Sequence, residues 1–109
     1  MFIVMNRFQV NRGQDGAFEA SWMSRERRLA QFKGFVSFSL LKNWLSGDAT
    51  TEYISHTTWA SREDFEVWRD SPQFRQAHAG ASMAGVLAAP PTATLYEAIL
   101  EETHQPAAV

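Results

Sequence analysis

Residues 2–10 alternate as an extended chain does: Phe2, Val4, Asn6, Phe8 and Val10 fall on one face, Ile3, Met5, Arg7 and Gln9 on the other. The first face is apolar except at its centre, Asn6. After a turn at Asn11-Arg12-Gly13 the period changes. Phe18, Trp22, Leu29 and Phe32 recur at helical spacing, which predicts a helix over 15–32 with Arg25 inside its apolar stripe and Gly34 as its left-handed stop. Two further alternating runs, 35–44 and 52–59, flank a Gly/Asp loop and read as an antiparallel hairpin. Ser61 then caps a helix whose first turn carries Glu63 and Asp64, where acids favour the positive end of the helix dipole. Phe65 and Trp68, three apart, share a face. Ser71-Pro72 starts a second short helix, with Phe74, Ala77 and His78 on its inner side and Gly80 as its stop. Residues 81–91 are small and apolar, either a short helix or a lid closed off by Pro90 and Pro91. A last strand is predicted over 92–100.

The order β-α-β-β-α-β is that of a ferredoxin-like α+β fold with an antiparallel sheet. It makes one domain of residues 1–102 and leaves 103–109 as a flexible tail. Helices on one face of a four-stranded sheet leave the other face, with Ile3 and Met5, uncovered. A two-fold homodimer packing sheet on sheet, a dimeric α/β-barrel, is the economical cover.

Composition narrows the function. The 109 residues are 45% hydrophobic and 20% charged, as in a globular domain. A net charge of -2 gives no general attraction to nucleic acid. Cysteine is absent, which removes thiolate chemistry and disulfides and fits a cytoplasmic setting. No stretch has the length of a membrane span, so no membrane partner is expected. Dinucleotide, phosphate-loop and nucleophile-elbow motifs are missing. The three histidines, His56, His78 and His104, show no paired-ligand spacing.

Three residues are out of place for a plain core. Asn6 is either satisfied by backbone or water, or aimed into a ligand cavity, because a buried amide must find a partner. Arg25 either snorkels to the edge of its helix or meets an acidic ligand group. His78 either sits at a helix end for its charge or serves a ligand beside Trp68.

The start Ile3-Val4-Met5-Asn6-Arg7-Phe8, the block from Thr57 to Trp68 (T-W-x-S-x-E-D-F-x-x-W) and the block Ser71-Pro72-Gln73-Phe74-Arg75-Gln76-Ala77-His78-Ala79-Gly80 resemble the IsdG-type haem-degrading monooxygenases of the antibiotic-biosynthesis-monooxygenase superfamily. The resemblance runs through residues 1–100. It implies a functional trio of Asn6, Trp68 and His78. His78 would ligate the haem iron, Trp68 would press the macrocycle out of plane, and Asn6 would donate a hydrogen bond on the oxygen side. Haem would be both cofactor and substrate. With O2 and an external electron donor, the ring would open at a meso carbon to release iron and a linear tetrapyrrole. Phe8, Phe65 and Phe74, with Val86 and Leu87, are the expected walls, and Arg25 the partner of a propionate. Two other activities share the fold: a cofactor-free oxygenase acting on a phenol or quinol, and a haem-binding protein without catalysis.

Overall fold

The computed structural model describes residues 1–25, 28–78 and 84–107, the side chains of residues 77 and 78 excepted. Strand β1 (Phe2–Asn11) is followed by helix α1 (Asp15–Met23), a 3-10 turn (Leu29–Gln31), β2 (Phe35–Lys42), β3 (Thr50–Trp59), α2 (Arg62–Arg69), α3 (Pro72–His78) and β4 (Thr92–Glu97). The sheet runs β2-β3-β1-β4, antiparallel throughout. This is the ferredoxin-like α+β arrangement that the order of elements predicts.

The register of the two central strands decides what lies beneath the helices. Phe2 pairs with Trp59, Val4 with Thr57, Asn6 with Ser55 and Phe8 with Tyr53. Because side chains alternate across a strand, these pairs share the covered face. The opposite face presents Ile3, Met5, Leu41, Ile54 and Tyr96, with Leu41 and Tyr96 both exposed.

Helix α1 stops at Met23, nine residues short of the expected end. The hydroxyls of Ser21 and Ser24 donate to the carbonyls of Phe18 and Ser21, side-chain bonding that competes with helix propagation. Leu29 and Phe32 therefore leave α1 and join a different part of the core. β2 ends at Lys42, where the Asn43 side chain accepts from the Leu45 amide and turns the chain, leaving Trp44 fully exposed. β4 ends at Glu97. Residues 84–88 form a turn and a single bridge rather than a helix. Leu87 bridges Val10, and the Asn11 and Ala88 amides donate to Val86 and Gln9, prolonging the edge of β1. The expected stop at Gly80 and the segment 81–83 lie outside the described residues.

At the start of α2, Ser61 Oγ accepts from the Asp64 amide at 3.1 Å and donates to the Asp64 carboxylate at 2.9 Å. Gly34 (φ +84°) lies against that carboxylate.

The core is in two parts. Phe2, Val4, Trp59 and Phe65 form one, joined by Leu29, Phe32, Phe35 and Trp68. Val10, Phe18 and Tyr53 form the other, joined by Phe8, Trp22, Leu40, Val86 and Leu87. Helix α2 covers the first and α1 the second.

Candidate functional site

Between the two halves runs a cleft of about 1510 Å³, floored by the sheet. Clefts for drug-sized ligands measure roughly 300–1,000 Å³, so this one suits a larger molecule. The other hollow, about 370 Å³, lies among turn residues such as Arg12, Gly13 and Gly47 and has no aromatic wall.

Aromatic side chains form the walls. Trp22 of α1 stacks on Phe38 of β2, with ring centroids 5.7 Å apart. Facing them from α2 and α3, Trp68 meets Phe74 edge-on at 4.7 Å and Trp59 at 5.8 Å, and Phe65 packs on Phe2 at 5.6 Å. Ser71 sets the step between the two helices: its hydroxyl donates to the Trp68 carbonyl and accepts from the Phe74 amide, holding Trp68 and Phe74 together. Trp68, Phe65 and Phe74 thus line the cleft. Phe8, Val86 and Leu87 do not. Phe8 lies behind the wall, 5.2 Å from Phe18 and 5.8 Å from Trp22 by ring centroid, and Val86 and Leu87 pack in the same half of the core.

The floor is polar where the walls are not. Asn6 stands on it, between Ser55 of β3 and Ala93 of β4 in register. Ser55 is 4% exposed. Thr57 lines the next row. Among the described residues, neither the Asn6 amide nor the Ser55 hydroxyl has a side-chain hydrogen bond. Neither group is fully enclosed, so both stay open to water or to a bound molecule. Serine and threonine on β3 were not singled out in the sequence. The alternation Tyr53, Ser55, Thr57, Trp59 was the signal that puts them under the helices.

Arginines from both walls reach the cleft. Arg25, just past α1, lies 4.1 Å over the Trp22 ring, and burial pulls its pKa below the ordinary value. No carboxylate faces it among the described residues. Arg28 and Arg69 also line the cleft. Arg69 is engaged with Asp70 at 3.1 Å and with Glu66 at 3.6 Å. Farther along α1 lies a closed network. The Tyr53 hydroxyl donates to Glu19, Lys42 lies 3.4 Å from Asp15 and 3.6 Å from Glu19, and Thr51 donates to Asp15 at 2.9 Å. Burial, then the bond to Glu19, push the Tyr53 phenol above its ordinary range.

His78 is the last residue of α3, and its side chain lies outside the described residues. The structure brings together Asn6, Trp68, Phe65, Phe74 and Arg25 around one cleft.

A two-layer α+β domain with an aromatic cleft over a polar strand residue is a ligand-binding scaffold. Residues 1–80 match the family described as antibiotic biosynthesis monooxygenase. A protein of Shouchella clausii named "heme-degrading monooxygenase" is 30% identical over 80 residues, 73% of each chain. The chain therefore belongs to the antibiotic biosynthesis monooxygenase family, as an IsdG-type member. Among solved structures, the heme-degrader MhuD of Mycobacterium tuberculosis, with two hemes bound in its active site, is 25% identical. Its TM-score is 0.72, covering 94% of this chain and 100% of that one. SnoaB of Streptomyces nogalater, a cofactor-independent oxygenase, shares the fold at 21% identity with a TM-score of 0.68, covering 92% of this chain and 94% of that one.

Proposed function

We propose that this chain is a haem-degrading monooxygenase that opens the porphyrin at a meso carbon and releases iron and a linear tetrapyrrole. The observation that carries the reading is Asn6: an amide without a side-chain partner among the described residues, on the floor of an aromatic-walled cleft large enough for a macrocycle. The walls suit the faces of a porphyrin, and Arg25, lacking a carboxylate among the described residues, suits a propionate. Haem bound there supplies the iron at which dioxygen is activated, at the expense of an external electron donor. Asn6 donates an N–H on the oxygen side. Trp68 would press on the macrocycle, and Phe65 and Phe74 would exclude water around it. His78 would offer an imidazole nitrogen to the iron, as haem proteins commonly do. The similarity to heme-degrading relatives supports the same assignment.

The reading includes a cytoplasmic homodimer. Its support is the apolar open face of the sheet, with Ile3, Met5, Leu41, Ile54 and Tyr96. Residues 103–107, without regular structure and exposed, are assigned to the tail of a single domain over 1–102.

Hemin titration tests the proposal. A stoichiometric complex with a Soret band is expected, and adding a reductant in air bleaches it. A Soret band that survives leaves a haem-binding protein without catalysis. No band at all favours oxygenation of a phenol or quinol without cofactor; the fold neighbour SnoaB is named a cofactor-independent oxygenase.

A further inference from the structure

Asn6 has a neighbour that matches it. In the antiparallel register of β1 and β3, Asn6 lies directly opposite Ser55, and such pairs hold their Cβ atoms about 4.5–5.5 Å apart. Both side chains line the cleft. Ser55 is 4% exposed, and neither residue has a side-chain hydrogen bond among the described residues. The hydroxyl nevertheless is not sealed off: among the described residues, the only fully enclosed side-chain polar atoms without a partner are the indole nitrogens of Trp22 and Trp59. Ser55 thus has a narrow opening, and that opening is toward the cleft. Ala93 flanks Asn6 on the other side, so the neighbouring side chain in that row is small.

We propose that Asn6 and Ser55 form a two-point seat for one small oxygen-bearing molecule, making Ser55 a second residue that touches the oxygen side of the site. Two adjacent short polar side chains on the cleft floor suit a water or a diatomic. The amide contributes two N–H donors and a carbonyl acceptor, and the hydroxyl donates or accepts as its rotor turns. The pair therefore holds a water in the empty cleft and orients the oxygen end of a diatomic in the loaded one. Only the second role rests on the haem reading. The first belongs to the floor itself and stands equally for an oxygenase without cofactor.

Two measurements test it. A crystal structure of the empty protein should place an ordered water within about 3.2 Å of both Asn6 and Ser55. In the ferrous hemin complex under carbon monoxide, Ser55→Ala should move the C–O stretch to higher wavenumber, in the same direction as Asn6→Ala, and Ser55→Thr should restore it. Ser55→Ala removes one oxygen and no existing hydrogen bond, so an unchanged melting temperature is expected and separates the shift from damage to the fold. A floor water bonded to Asn6 alone, or a stretch that moves in Asn6→Ala and stays put in Ser55→Ala, overturns the proposal. Absence of a hemin complex overturns the haem reading instead, and the floor water in the crystal then decides the seat.

Discussion

Gly34→Ala places a methyl group where Asp64 already is. A Cβ built on Gly34 lies 2.1 Å from Asp64 Oδ2, 2.3 Å from its Cγ and 2.5 Å from its Cβ, and the backbone there has φ +84°. Neither partner can yield freely. The Asp64 carboxylate is bonded by Ser61 Oγ at 2.9 Å, and the Gly34 carbonyl accepts from the Ala60 amide at 2.7 Å. The left-handed backbone costs an alanine about 1–2 kcal/mol. Turning the Asp64 carboxylate away gives up its bond from Ser61 Oγ, about 1 kcal/mol for a typical hydrogen bond. The sum, about 2–3 kcal/mol, is a large share of the roughly 5–15 kcal/mol that holds a domain together. At roughly 4–8 °C per kcal/mol for a domain of about this size, melting should fall by about 10–20 °C. Thermal melts and urea titrations followed by far-UV circular dichroism measure it. In an Asp64→Gly background the steric share vanishes, and Gly34→Ala should cost only the backbone share. Since α2 also carries Phe65 and Trp68, hemin affinity should fall with stability in the single variant. A Gly34→Ala protein within about 0.5 kcal/mol of the parent, the range of an unremarkable surface change, would refute the reasoning.

Other substitutions address the cleft. Arg25→Ala should weaken hemin binding roughly 10–100-fold, the worth of a charge-assisted bond, and leave binding of the dimethyl ester unchanged; equal losses for both would remove the propionate role. Trp68→Phe should bind hemin and turn it over poorly, whereas His78→Ala should abolish turnover; parental rates in either would strike that residue from the site. Tyr53→Phe removes a buried donor to Glu19 and should cost about 1.5–3 kcal/mol at neutral pH. Because folding raises the Tyr53 pKa, the contribution of its neutral phenol is complete below the unfolded value near 10 and declines as pH rises beyond it. The gap in urea midpoint between parent and Tyr53→Phe should thus be wide at pH 8 and narrow by pH 11, and a constant gap would contradict the assignment.

The strands were legible because a period of two survives in isolation: the side of β1 that carries Asn6 is the side the helices cover. The cap at Ser61 and the restart at Ser71-Pro72 were also local, each set by one hydroxyl and its neighbouring amides. What misled was a helical period that outlasts its helix. Leu29 and Phe32 keep the spacing of Phe18 and Trp22, yet they pack on Trp59 and Phe65 in the other half of the core. Spacing along a chain does not say which cluster a residue joins. Ser21 and Ser24, which end α1, read as ordinary helix-surface positions until their bonds to the preceding carbonyls are seen. Ser55 escaped notice because its importance lies in facing Asn6, a relation fixed by register across 49 positions of chain. Phe8 packs against Trp22 for a related reason: alternation gives the face of a strand, not which neighbour stands in front.

The divided core has a mechanical meaning. α1 and α2 each grip one end of the same sheet, and the strands are the splint between them. With the gap open, the aromatic walls lack neighbours on one side and forgo the dispersion contacts that a filled interior supplies. Whatever flat molecule enters becomes part of the interior, so occupancy and folding are thermodynamically one process. A ligand at a hundred times its dissociation constant adds about 2.7 kcal/mol to stability, and here that gain acts across the seam where the two halves of the core do not meet.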